Sequence, residues 1–220
     1  MRWAAAAALL CLPQVRAYVV CLPFVSCFEV EDQTLKLQLE AYWCPPGGDD
    51  EFDPTSIVAC GGKDELVCEE LAEALCAAPP AIEARKLVAP LDGAILRNVL
   101  SMEECAGLIA STDGLGYSFW DPDEKRRDFR SADTVEVHSK ALAKVLWERI
   151  LPFILELTKV KVEENQARWE REIDGGWTAY GVNHDLLFGR YREGGHFSPH
   201  TDGNTVVDFN NRSLYSMIVY

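Results

Sequence analysis

The chain has 220 residues, of which 48% are hydrophobic, 25% charged and 10% aromatic, a composition that excludes disorder, collagen and a polytopic membrane protein. Its 21 basic and 35 acidic residues give a net charge of −14, which repels phosphate backbones and anionic lipid headgroups. Nucleic acid and a stable membrane insertion are therefore set aside, and a small molecule, protein or peptide is the expected partner.

In chain order, Met1 and Arg2 precede an apolar stretch from Trp3 to Leu12. Pro13 breaks it, and Val15-Arg16-Ala17 offers small or branched residues at the −3 and −1 positions of a cleavage site. Residues 1–17 read as a secretory signal peptide, against a transit peptide or short anchor, because a spanning helix needs about 20 uninterrupted apolar residues. The expected location is the endoplasmic reticulum lumen or the extracellular space.

Cysteines stand at 11, 21, 27, 44, 60, 68, 76 and 105. Six lie between Cys21 and Cys76 with neither a Cys-x-x-Cys pair nor a histidine among them. That favours disulfides over zinc in an oxidising compartment, with connectivity left open. Cys105 sits in an apolar helical pattern and is expected to be an inert core thiol. Lys63-Asp64-Glu65-Leu66 spells a retention tetrapeptide, which is read only at a carboxy terminus and carries no weight here.

Residues 18–80 form the Cys-rich region. Tyr18 to Tyr42 is strand-like through the Leu35, Leu37, Leu39 alternation. Cys44 to Pro54 is an exposed turn, Glu65 to Ala77 a helix, and Pro79-Pro80 a boundary. Residues 81–220 open with a strand from Ala94 to Leu100. A helix follows behind the capping box Ser101-Met102-Glu103-Glu104 and ends by Asp113-Gly114. A second helix runs from Ser139 toward Leu157 with a kink or break at Pro152. Both are expected to pack on a sheet. Beyond Trp177, short extended runs at Asp185 to Tyr191, Gly195 to Asp202 and Ser213 to Tyr220 have the spacing of antiparallel β-structure.

The chemistry concentrates in Arg190-Tyr191-Arg192-Glu193-Gly194-Gly195-His196-Phe197-Ser198-Pro199-His200-Thr201-Asp202-Gly203. His200 and Asp202 are two residues apart, so on a strand both leave one face and converge on a single ion. An imidazole plus a carboxylate is two thirds of the facial triad that holds non-haem Fe(II). A hydrogen-bonded histidine in a turn is the plainer reading of the same pair.

Further matches surround that pair: Glu103-Glu104-Cys105, Arg130-Ser131 to Thr134, Arg149-Ile150, Asn183 before Leu186 to Arg190, and Arg212 to Tyr220. With them, residues 94–220 resemble the prolyl 4-hydroxylase-like branch of the Fe(II)- and 2-oxoglutarate-dependent dioxygenases. The resemblance implies an α+β fold built on a double-stranded β-helix, or jelly-roll, with flanking helices. It implies His200 and Asp202 as iron ligands and Tyr191 as a residue of the 2-oxoglutarate pocket. It further implies Fe(II), 2-oxoglutarate and L-ascorbate as cofactors, and hydroxylation of a protein substrate, with peptidyl proline as the substrate class.

His196 is expected to be exposed or to stand just behind the ligands. His184 and His138 are expected to be solvated or capping. Arg190 and Arg192 are expected on the opposite side of the sheet from Tyr191, and Trp169 and Trp177 receive no role. The family's distal histidine and the basic residue that meets the far carboxylate have no counterpart among the residues after Asp202, so the chain as given reads as carboxy-terminally incomplete and inactive. Its last strand, Leu214 to Tyr220, is expected to be unpaired with exposed apolar faces. Two other readings stand beside this one: a catalytically inactive secreted Cys-rich binding module on a degenerate jelly-roll, and a different metal-binding jelly-roll completed by His196 or His184.

Overall fold

A computed structural model describes residues 18–22, 25–26, 33–44, 66–75, 81–86, 93–155, 160–162, 175–202, 205–208 and 210–220. The expected signal peptide, the acidic turn after Cys44, Pro79-Pro80, Trp169, Cys11, Cys27, Cys60 and Cys76 lie outside these residues.

The amino-terminal strands are β1 (Tyr18–Leu22), β2 (Val25–Ser26) and β3 (Gln33–Cys44), followed by β4 (Glu83–Lys86) and β5 (Ala94–Arg97). Helix α1 (Met102–Leu115), β6 (Ser118–Phe119), β7 (Asp133–His138) and helix α2 (Lys140–Ile154) come next. The remaining strands are β8 (Val160–Val162), β9 (Gly175–Val182), β10 (Asp185–Arg190), β11 (His200–Thr201) and β12 (Asn211–Val219). This is a mixed α+β fold with antiparallel sheets and no closed barrel among the described residues. The main path is β4-β5-β1-β12-β3-β10-β7-β6, so the sheet draws strands from both sides of Pro80, and β11 pairs separately with β2.

The expectation of an unpaired last strand is corrected. β12 is central: β1 covers one edge, pairing Cys21 with Met217, and β3 covers the other, pairing Leu37 with Met217. Leu214, Tyr215, Met217 and Val219 are all buried. The edge is quenched by strands from almost two hundred residues earlier, which no local pattern reveals. The helix expected over Glu65 to Ala77 is a 3₁₀ segment, Glu69–Ala74, within which Leu71 is buried. Cys68, expected among paired cysteines, is a free thiol only 1% exposed in the hydrophobic core, its N–H donating to the His138 carbonyl at 2.9 Å. Burial pushes its pKa up, and does the same at Cys105, which is also free.

Both helices start as local chemistry dictates. At α1, Ser101 Oγ accepts from the Glu104 N–H while the Glu104 carboxylate accepts from the Ser101 N–H at 2.7 Å. At α2, Ser139 Oγ accepts from the Leu142 N–H, and the Glu69 carboxylate caps the Lys140 and Ala141 N–H groups from a distant segment. Pro152 removes a donor without ending α2, which continues to Ile154. The stripe Leu142, Leu146, Ile150 and Ile154 is fully buried, and α2 packs against β9 and β5. Each such side chain contributes about 1.5–3 kcal/mol on burial.

One buried ion pair locks the two helices together. Arg149 donates to Glu104 in a fork, Nη2 to Oε1 at 2.7 Å and Nη1 to Oε2 at 2.9 Å, and also reaches the Val99 carbonyl at 3.0 Å. The same Glu104 completes the α1 capping box. No helix of the described residues is long and apolar enough to cross a membrane.

Candidate functional site

The loop between β10 and β12 carries the site. Its hinge is Gly194, at φ 74°, in the left-handed region that favours glycine. Gly195 follows, where an added Cβ would lie 2.7 Å from the Arg192 carbonyl and 3.1 Å from Tyr191 Cβ. Two glycines thus let the chain fold tightly over Tyr191, which is 6% exposed. The loop is then pinned to the segment before β7. Ser131 N–H donates to the His196 carbonyl at 2.9 Å, His196 N–H donates to Ser131 Oγ at 2.8 Å, and Ser198 N–H donates to the Phe129 carbonyl at 2.7 Å.

This delivers His200 onto β11, opposite Ser26 of β2. The strand is only two residues long, shorter than expected, and Asp202 lies just beyond it. The convergence nevertheless holds, with His200 Nε2 at 3.1 Å from Asp202 Oδ1. Each is oriented from behind. His200 Nδ1 lies 2.8 Å from the Ser198 carbonyl, which can only accept, so Nδ1 carries the hydrogen. Asp202 Oδ2 accepts from Ser216 Oγ at 2.6 Å. Ser216 stands between the core residues Tyr215 and Met217 on β12, so strand alternation turns it to the opposite face.

With Nδ1 protonated, a neutral His200 aims a lone pair from Nε2 at the carboxylate oxygen. Two acceptors at that distance need a proton or a cation between them. Metal-binding histidines show this outer arrangement, the second ring nitrogen donating to a carbonyl and the ligating carboxylate itself hydrogen-bonded. Two neighbouring ligand atoms on a first-row divalent ion, each at about 2.1 Å, stand about 3 Å apart. The pair therefore fits two adjacent positions on Fe(II), and the donor set of imidazole and carboxylate suits that ion.

The described residues contain no group of three histidine, cysteine or acidic side chains placed to hold a metal. His196 Nε2 contacts the Asp128 carbonyl at 2.9 Å, consistent with a role outside the ligand set. His138 and His184 pack edge to face 5.6 Å apart in another cluster, with His138 Nδ1 at 2.8 Å from Asp185 Oδ1. Burial, with His138 adding to it, pulls the His184 pKa down. The reading that His196 or His184 completes the site has no support in these positions.

The Phe197 ring stacks on the His200 ring at 3.7 Å, and the Arg130 guanidinium lies 4.8 Å from the centre of Phe197. Burial pushes the Tyr191 phenol up, with Arg130 opposing, and burial first, with Tyr191 adding to it, pushes Tyr220 up. Arg190 turns away to Asp113 at 3.3 Å, Arg192 reaches Asp133 at 3.9 Å, and Trp177 is a core residue.

Sequence reasoning missed Ser198, Ser216 and Phe197 as parts of this site. A serine at alternate spacing in the apolar run of β12 was the available signal for Ser216; the carbonyl of Ser198 had none. No protein-family model, no curated protein and no solved structure matches the chain.

Proposed function

We propose that this protein belongs to an Fe(II)- and 2-oxoglutarate-dependent dioxygenase of the prolyl 4-hydroxylase-like type, acting on a protein substrate with peptidyl proline as its class. The observation that carries the reading is the His200–Asp202 pair at 3.1 Å, with both partners oriented from behind by Ser198 and Ser216. His200 Nε2 and Asp202 Oδ1 would hold the iron, and Tyr191 would line the co-substrate pocket. Bound iron supplies the activation of dioxygen that couples decarboxylation of 2-oxoglutarate to hydroxylation, with L-ascorbate keeping the metal reduced.

The chain's own residues supply orientation. Ser198 fixes the histidine tautomer, Ser216 holds the carboxylate rotamer, and Phe197 covers one face of the imidazole. The antiparallel strands and flanking helices are compatible with a jelly-roll. A secretory location is part of the proposal and rests on residues 1–17.

Two protein ligands leave iron weakly held, so the full chain alone should release no succinate. Imidazole added as a surrogate third ligand should restore slow, iron-dependent succinate release that His200→Ala and Asp202→Ala both abolish. Undiminished release in both variants overturns the assignment. The inactive Cys-rich binding module has one observation in its favour, the lack of a three-residue metal group among the described residues. It requires that no succinate be released even with imidazole supplied.

A further inference from the structure

Residues 66–68 are fastened to the sheet through one residue. His138, which closes β7, donates its N–H to the Leu66 carbonyl and accepts from the Cys68 N–H, both at 2.9 Å, with Val67 beside it as a parallel bridge. The fastening seals the core, because Cys68 and Leu71 behind it are buried. Two histidines meet there. The His138 and His184 rings stand edge to face at 5.6 Å, and the Ser139 N–H donates to the His184 carbonyl at 3.0 Å, so backbone as well as rings holds them together. A proton on His138 is met by Asp185, whose Oδ1 lies 2.8 Å from Nδ1. A second proton, on half-buried His184, finds Asp185 already engaged and the Glu69 carboxylate turned to the Lys140 and Ala141 N–H groups.

We propose that the facing His138 and His184 rings are an acid-sensitive latch: when both are protonated, two cations confront each other at the fastening, and residues 66–68 part from β7. The groups that face His184 are His138 on β7, Lys140 at the start of α2, Asp185 on β10 and Glu69 on the 3₁₀ segment. Burial is the largest influence on its ring, His138 and Lys140 add to it, Asp185 and Glu69 oppose, and the net pull is below the ordinary value of 6.5. The released ring therefore takes a proton more readily than the fastened one, so the latch is fully closed above pH 6.5 and loosens as pH falls below it. The Glu69 carboxyl is held below 4.5, so its caps on α2 persist through that window and the release stays local. Neither His200 nor Asp202 takes part, and the latch stands apart from the function proposed above.

The test is native-state amide hydrogen exchange on the isotope-labelled full chain, read by magnetic resonance as protection factors, which divide out the intrinsic pH dependence of exchange. Two amides report the latch, the Cys68 N–H bonded to His138 and the His138 N–H bonded to Leu66. Between about pH 7.5 and 5.5 their protection should fall about three- to tenfold, the reach of a single proton over that span, while the amides of α1 hold theirs. His184→Gln, which cannot take the proton, should flatten the profile at both amides. Should that variant fail to fold, His138→Gln keeps the backbone bonds, removes the facing cation and should flatten it likewise. Protection that does not change with pH in the parent, or that falls equally in α1, overturns the proposal. So does a folded His184→Gln variant that keeps the parent's full pH dependence.

Discussion

Asp202 is 8% exposed, and its carboxylate meets the Ser216 hydroxyl on one oxygen and His200 on the other. Replacing Ser216 with alanine should leave the fold intact and lower divalent-metal affinity by about 10–100-fold, the usual effect of deleting an outer partner of a ligand. Titration with Mn(II) measures this directly. Gly195→Ala belongs to the same scale: its Cβ would meet the Arg192 carbonyl and Tyr191, and one of them must move. A loss of about 1–3 kcal/mol in urea unfolding is expected, the cost of overpacking a tight site. Residue spacing made the approach of His200 and Asp202 legible, because a two-residue separation is local. Ser198 and Ser216 were not legible as partners of that pair, because each arrives from a loop or strand whose position depends on pairing across the sheet.

Among the elements, α1 and α2 were the most readable, since the capping box of α1 and the serine cap and apolar stripe of α2 are written within a few residues. What couples them was written as two separate motifs, Glu104 and Arg149, whose meeting is tertiary. Arg149→Met takes the neutralising guanidinium from the buried Glu104 carboxylate and should destabilise by about 3–5 kcal/mol, whereas Glu104→Met combined with Arg149→Met should recover much of that loss. Chemical denaturation of the two variants separates the outcomes. Glu69 offers a pH readout. Hydrogen bonds from the Ala141 and Lys140 N–H groups hold its carboxyl below its ordinary value of 4.5. Its contribution is therefore full above that value and lost as pH falls through the lowered one. Glu69→Gln should cost at most about 1 kcal/mol at pH 7, and thermal melts of variant and parent should converge in acid. The 3₁₀ form of Glu69–Ala74 was not readable, because the carboxylate is drawn to a helix terminus seventy residues away.

At the scale of the molecule, β1 and β3 enclose β12, turning what looked like an open apolar edge into the middle of a sheet. Strand pairing over such separations leaves no local mark in sequence, so the antiparallel class was legible while the strand order was not. The same closure places Ser216 behind Asp202 and so links the sheet to the His200–Asp202 pair. The central claim is that His200 and Asp202 bind one divalent ion together. Mn(II) titration of the full chain, followed by loss of the free-ion paramagnetic resonance signal, tests it. One saturable site is expected, with affinity reduced at least about tenfold in both His200→Ala and Asp202→Ala. A titration in which either variant binds as tightly as the parent, or in which the parent binds nothing, would contradict it.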